Sequence, residues 1–287
     1  MARIAERYAH HSLDPARGHT ADSPEDIPAA GWREIFLRVW QRGRRNGVSV
    51  TAAGIAFYTL LTILPGTLAL IGLFGLFVGP DTVETGLNEL GDLLPPRAAE
   101  LVLTEMKDMT EQGLMSVGAI GGLVIGLWSA SAGVRALMQA CNVAYDEEES
   151  RPVLRSYGTS LVLTVFGLAL GALVVLLALS VPFMLRWPVL AAAMMLALAV
   201  LYRYAPSRRQ PRWEWVSWGA VAATVLWLGA TGALSLYVSR LGNFDHLYGA
   251  LGAVVVLLLW LLISGYAILL GAGLNAEMER QTQKDTT

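Results

Sequence analysis

The stretch AAGIAFYTLLTILPG, residues 52–66, is apolar enough to enter a bilayer, yet it carries Tyr58, Thr59 and Thr62 and ends in a Pro-Gly pair. The apolar run continues through Gly79. A helix over 49–79 at ~1.5 Å per residue would be roughly 46 Å long, against a hydrocarbon core of ~30 Å. Such a segment must tilt strongly, kink or run along an interface. Pro65 has no backbone N–H and its ring clashes with the preceding turn, so a bend or break is expected there. Thr51, Tyr58 and Thr62 follow at intervals of seven and four residues, which places them on one side of a helix. Polar groups at membrane depth usually face the protein interior or a wet cavity, so the stripe reads as an inward-facing surface. The competing use of each threonine is a hydrogen bond to the carbonyl three or four residues back, which leaves nothing for a ligand.

The rest of the chain has the same character. It is 54% hydrophobic and 15% charged, with a mean hydropathy of +0.49, whereas a soluble domain is about a quarter charged. The apolar residues come in blocks of roughly 20 or more, the length needed to cross a bilayer. The reading is an all-α, polytopic membrane protein built as a six-helix transmembrane bundle, with spans near 49–79, 115–140, 158–182, 188–205, 215–238 and 248–273. Residues 1–30 read as a disordered cytoplasmic tail, 31–279 as the membrane domain and 280–287 as a second cytoplasmic tail. With Cys141 as its one cysteine the chain can form no internal disulfide. His10, His11 and His19 sit in the polar N-terminal tail, where no specific role is expected of them.

Arginine placement gives the orientation. Arg3, Arg7, Arg17, Arg33, Arg38, Arg42, Arg44 and Arg45 precede the first span, whereas only Arg97 and Lys107 lie between the first two. Arg151 and Arg155 follow span 2, Arg186 alone follows span 3, and Arg203, Arg208, Arg209 and Arg212 follow span 4. Arg240 follows span 5, and Arg280 and Lys284 close the chain. Rich and poor alternate at every crossing, which predicts cytoplasmic termini. Trp187, Trp213, Trp215, Trp218 and Tyr248 fall near span ends, at the level aromatic rings favour. Trp227 and Trp260 lie deeper and are expected to pack.

Between the first two spans, Val83, Leu87, Leu90 and Leu94 recur on one helical face, Pro95-Pro96 interrupts, and Ala98, Val102, Met106 and Met109 follow. Two short amphipathic extracytoplasmic helices are expected, lying on the membrane or capping the bundle. Within span 2, Gly118, Gly122, Gly126 and Ala130 recur every four residues, a row of small residues that lets another backbone approach closely. Ala267, Gly271 and Asn275 repeat the spacing near the end of span 6. The segment WSASAGVRALMQACNVAYDEEESR, residues 128–151, places Arg135 near the cytoplasmic end of span 2, followed by an acidic run and Arg151. It reads either as local ion pairing that orders the loop, or as a gate or headgroup site built from Arg135, Asn142, Tyr145 and Arg151.

These segments carry a resemblance. AAGIAFYTLLTILP, LWSASAGVRALMQACNVAYDEEESRP, YRYAPSRR, WGAVAATVLW and YGALGAVVVLLLWLLISGYAILLGAGLNAEME are similar to the YihY/BrkB family of bacterial inner-membrane proteins, long known under the name ribonuclease BN. The resemblance runs from about residue 33 to residue 279. It implies a six-span helical fold and an inner-membrane address, with some members linked to virulence or serum resistance and envelope lipid handling suggested, but no settled activity. Thr62 stands where serine is more usual in the family, and the hydroxyl is kept. Gly273-Leu274 stands where an acidic residue is more usual before Asn275, so a carboxylate one turn before Glu277 is absent here.

The candidate cavity or gate residues are thus Thr51, Tyr58, Thr62, Pro65, Arg135, Asn142, Tyr145, Arg151, Asn275 and Glu277, with Gly118, Gly122, Gly126, Ala130 and Gly271 as packing positions. No catalytic residue, metal site or cofactor is expected. Phosphodiester hydrolysis with metals needs a wet cluster of His, Asp or Glu ligands, whereas the spans hold no pair of carboxylates and the chain has neither HxHxDH nor CxxC. No phosphate-binding GxxxxGK[ST] loop is present. The expected function is non-enzymatic: transport or translocation of a lipid or other amphipathic envelope component. The alternative is a scaffold or accessory subunit of an envelope assembly. Membrane lipids are the expected partners and nucleic acid is not, with a homo-oligomer or an envelope protein left open.

Overall fold

The computed structural model describes residues 17–21, 23–77, 117–180, 182–208, 213–241 and 251–282. Among them there is no strand. After a short turn of 3-10 helix at Pro24–Asp26 come seven helices: α1 (Ala29–Arg45), α2 (Val48–Phe77), α3 (Val117–Tyr145), α4 (Val153–Ser180), α5 (Phe183–Tyr204), α6 (Trp213–Leu241) and α7 (Leu251–Gln281). α2 to α7 occupy the six expected spans. Among the described residues α4, α5, α6 and α7 are each long and apolar enough to cross a membrane, and α1 with Val48–Ile63 forms a pair bent by 69° that passes the same test. The two short amphipathic helices expected between residues 80 and 114 lie outside the described residues.

α2 departs from the expectation at Pro65, because the helix runs through that position without a break. The sharp turn comes earlier. α1 ends at Asn46, whose amide donates to the Arg42 carbonyl, and Gly47 takes φ +64°, the left-handed conformation that glycine adopts without a Cβ penalty. The overlong apolar run is therefore preceded by the bend, not divided by it.

The chain falls into two compact units. The first comprises residues 1–56, 137–151 and 194–287; the second comprises 57–136 and 152–193. In the first, α7 is the central element and packs on α1, α2, α3 and α6. Ala52, Ile55, Ala140 and Leu269 form one buried cluster. Ala21, Ile27, Ile35, Trp215, Leu274 and Met278 form another, at the end where the chain begins and finishes. Close approach depends on small residues. A Cβ on Gly271 would lie 2.5 Å from the Tyr202 hydroxyl, 2.6 Å from the Ala223 methyl and 2.7 Å from the Gly219 carbonyl.

Three expectations are corrected here. The N-terminal segment is folded from Arg17 on, well before residue 30, because Ala21 and Ile27 insert into the second cluster. Fully burying a side chain such as Ile27 or Ile35 stabilises by roughly 1.5–3 kcal/mol. At the other end α7 continues past residue 279, with Gln281 and Thr282 buried. Trp215, expected at the headgroup level, is buried under that N-terminal segment, whereas Trp187 and Trp218 are exposed as expected. Trp227 and Trp260 do pack, their rings 6.0 Å apart and their indole N–H groups donating to Ser264 and Thr231.

In the second unit Gly126 and Ala130 are buried, and Gly133 extends their row by one more turn. A Cβ on Gly133 would lie 2.6 Å from the Thr62 hydroxyl oxygen, so this face of α3 receives α2 of the same chain. Gly118 and Gly122 lie in the turn of α3 whose side-chain surroundings are outside the described residues.

Candidate functional site

Charge gathers where α7 ends in the first unit. An α-helix leaves partial negative charge at its C-terminus, so Glu277 and Glu279 in the last turns of α7 need cationic partners. They have them. Buried Glu277 accepts from Arg38 Nε at 2.8 Å and from Arg280 Nη1 at 3.0 Å, and forms an ion pair with Arg42, whose Nε lies 3.1 Å away. Arg208 grips Glu279 with two guanidinium nitrogens, one of them at 3.0 Å from Oε1, and both side chains are 8% exposed. The same guanidinium lies 4.1 Å above the Tyr145 ring. Gln281 joins the cluster by accepting from Arg38 and donating to the Arg17 carbonyl at 2.6 Å.

The loop after α3 closes onto this end. Asp146 adopts φ +63°, which a short polar side chain tolerates. Asn142 accepts from the Ser207 amide at 2.8 Å and donates to Glu149 at 3.1 Å. Arg151 forks onto Glu149 at 2.7 and 2.8 Å, and donates to the Tyr204 and Ala205 carbonyls. The Arg151 hydrogen bond is the main reason that Glu149 is held down to about 2, well below its ordinary 4.5. Arg280 ties loop to helix by donating to the Tyr145 carbonyl at 2.7 Å. Asn275, fully buried, accepts from the Gly219 amide at 2.8 Å and donates to the Val216 carbonyl at 3.2 Å, pinning α7 to α6.

Five expected site residues therefore share this end of the first unit: Asn142, Tyr145, Arg151, Asn275 and Glu277. Their polar contacts are internal, as the loop-ordering reading anticipates. Arg38, Arg42, Arg208, Glu279 and Gln281 were missed as their partners, whereas the Arg151–Glu149 contact is the local ion pairing expected of the acidic run. Acidic residues at the C-terminal turns of α7 were the available signal, since they oppose the helix dipole unless paired. α1 was missed too, although Trp32, Phe36 and Val39 recur at helical spacing.

Of the span 1 stripe, Thr51 donates to the Gly47 carbonyl at 3.3 Å and Thr62 to the Thr59 carbonyl at 3.0 Å. Both hydroxyls thus serve their own helix. Tyr58 is half exposed and meets Phe57 edge-on. Pro65 sits inside α2, its side chain outside the described residues.

Arg135 behaves differently. It lies in the second unit on α3, with Trp128 and Ser131 seven and four residues before it on the same face. The Trp128 and Tyr157 rings stack at 5.2 Å. The Arg135 guanidinium carbon sits 4.6 Å from the Tyr157 centroid and 5.7 Å from that of Trp128. Its Nη1 donates to Ser131 Oγ at 2.5 Å, and that hydroxyl donates to the Trp128 carbonyl. Among the described residues no carboxylate pairs with Arg135. The described residues also hold no group of three or more His, Cys, Asp or Glu placed to share a metal.

Comparison with known proteins agrees with this architecture. A family model described as Virulence factor BrkB matches residues 39–287. The ribonuclease-like protein YfkH of Bacillus subtilis (strain 168) is 30% identical over 257 residues, covering 80% of this chain and 90% of that protein. A UPF0761 membrane protein of Alteromonas mediterranea is 24% identical over 258 residues, covering 84% of this chain and 86% of its own. Another, from Aggregatibacter aphrophilus, is 25% identical over 269 residues, covering 85% and 92%. No solved structure matches the chain. Since the family match takes in residues 39–287, all six long helices included, the chain belongs to the Virulence factor BrkB family of membrane proteins.

Proposed function

We propose that the protein is a non-enzymatic, multi-pass component of the bacterial inner membrane that moves a lipid or another amphipathic envelope molecule across or along the bilayer. The observation that carries this reading is Arg135. An arginine at the centre of a membrane helix costs about 2.5–3.5 kcal/mol on insertion scales and less toward its end, where Arg135 lies, and here no carboxylate among the described residues offsets it. Trp128, Tyr157 and Ser131 hold the guanidinium from one side, which leaves its other edge to an anion. A lipid phosphate suits that edge, because a guanidinium presents paired donors to phosphate oxygens. With no nucleotide-binding loop in the chain, movement is passive, driven by a gradient or dependent on a partner.

The orientation proposed is cytoplasmic for both termini, from the arginine asymmetry. The hydrogen bond from Gln281 to the Arg17 carbonyl supports it by bringing the two ends of the chain to one side, as an even number of crossings requires.

The test is a phospholipid-scrambling measurement in reconstituted vesicles, with and without an ion gradient, comparing wild type with Arg135→Gln. Faster exchange of labelled lipid with wild type, lost in the variant, is the expected result. Equal rates with protein-free vesicles under both conditions would remove the translocation reading. A second reading, a scaffold that anchors an envelope assembly, draws on the end of α7, where Glu277, Glu279 and Asn275 are all committed to partners within the chain. It requires a stable protein partner in pull-downs and a cellular phenotype insensitive to Arg135→Gln.

A further inference from the structure

The arginines of α1 divide between two sides of one helix. Arg38 and Arg42 turn inward to Glu277. On the other side Arg33 and Arg44 are exposed, Arg45 is exposed at the last residue of the helix, and no carboxylate among the described residues pairs with any of the three. Between Arg33 and Arg44 on the outer side stand Phe36, Leu37 and Trp40, which are 58%, 52% and 66% exposed. That face carries no acidic residue; Glu34, to one side, is engaged by Arg17 and Arg38. α1 meets the first half of α2 at 69°, so with α2 crossing the bilayer α1 runs along its surface. Behind Phe36 and Trp40 lies a groove of about 280 Å³ that is walled by Val39, Leu226, Leu270 and Leu274 from α1, α6 and α7.

We propose that the outer side of α1 and this groove bind anionic phospholipid of the adjoining leaflet. Headgroup phosphates rest on Arg33, Arg44 and Arg45, and an acyl chain lies in the groove against Phe36 and Trp40. Aromatic and apolar side chains bracketed by arginines match the layered chemistry of an interface: hydrocarbon below, phosphate above. A zwitterionic surface would leave three unpaired cations uncompensated. The wall of the groove offers only apolar side chains, which suits methylenes and no polar ligand. This goes beyond the translocation reading, since every residue named lies in the first unit, whereas Arg135 belongs to the second.

The test uses the full-length protein in bilayers that mix phosphatidylglycerol with phosphatidylcholine, one lipid at a time carrying brominated acyl chains. The quenching lost on Trp40→Phe isolates the signal of Trp40. Wild type is expected to show phosphatidylglycerol enriched at Trp40. R33Q/R44Q/R45Q is expected to melt like wild type and to lose enrichment by about fivefold per arginine. Soluble glycerol phosphate is expected not to compete, and Arg135→Gln to leave enrichment unchanged whether or not it stops scrambling. Equal quenching by the two lipids in wild type would overturn the proposal, as would undiminished enrichment in the triple variant. Displacement by glycerol phosphate would overturn it in favour of a free-anion site.

Discussion

Arg208 and Arg135 each hold a guanidinium over a tyrosine ring, at 4.1 Å above Tyr145 and 4.6 Å above Tyr157. Around Arg208 the arrangement is closed, because Glu279 meets the cation with two hydrogen bonds and both partners are almost wholly buried. Around Arg135 it is open: a serine hydroxyl and two rings support the charge, and one of those rings, Trp128, is itself 57% exposed. A buried pair joined by two hydrogen bonds contributes rigidity and keeps its charge for its own partner, with only the Nε of that guanidinium left without an acceptor. A cation held only by rings and a hydroxyl keeps its capacity to bind an anion. The same residue type over the same kind of ring therefore serves structure in one unit and, in the reading proposed above, binding in the other.

The hardest test of that contrast is Arg208→Met. Removing one partner of a buried ion pair strands the other, at a cost of about 3–5 kcal/mol. The variant is expected to show a large drop in unfolding midpoint in detergent micelles; an unchanged midpoint would deny the closed character of this end. Next in size is Gly271→Ala. Its methyl group would meet the Tyr202 hydroxyl and the Gly219 carbonyl inside 3 Å, and overpacking of this kind costs about 1–3 kcal/mol. A neutral result would mean that α6 and α7 separate more easily than their Asn275 hydrogen bonds indicate. Arg135→Met is then expected to shift stability by no more than about 2 kcal/mol, the scale of a cation–π contact, while abolishing lipid scrambling. A loss as large as that of Arg208→Met would mean that Arg135 is a structural residue after all.

The smallest effect is a response to acid. Glu149 is held down to about 2 in the folded chain against an ordinary 4.5. A lowered carboxylate stabilises the state that lowers it above the unfolded value, and the contribution is lost as pH falls from about 4.5 to about 2. Order in the 146–151 loop, followed by hydrogen exchange of the Ser150 and Arg151 amides, is expected to be full above that window and to decline within it. Glu149→Gln is expected to flatten the dependence.

The long helices were legible because their apolar runs outlast a bilayer's thickness and the arginines between them alternate. Which arginine does what was not legible. Arg33 and Arg38 are equivalent in the sequence as topology markers, and only the position of Glu277 on the last helix separates an inward cation from an outward one. Trp215 carried the signature of an interfacial ring but is buried, because the segment around Ile27 folds over it, and that cover has no periodic signal of its own. The two threonines of the first span were resolved by local geometry, each donating to a carbonyl within four residues. Arg135 was half legible: Trp128 and Ser131 precede it at helical spacing, whereas Tyr157 comes from the next helix and has no sequence cue.

The ion pair between Arg38 and Glu277 spans 239 positions of chain. At the ~5–20 residues per second of protein synthesis, α1 waits about 12–48 s before Glu277 exists. During that interval Arg38 has only Glu34 of its own helix to pair with, so the inward side of α1 stays more cationic than in the finished fold. Closure of Arg38 and Arg42 onto Glu277 thus has to wait until α7 has been made and brought to α1. A chain whose α7 fails to reach α1 cannot make the clasp, so the pairing reports on the meeting of these two helices.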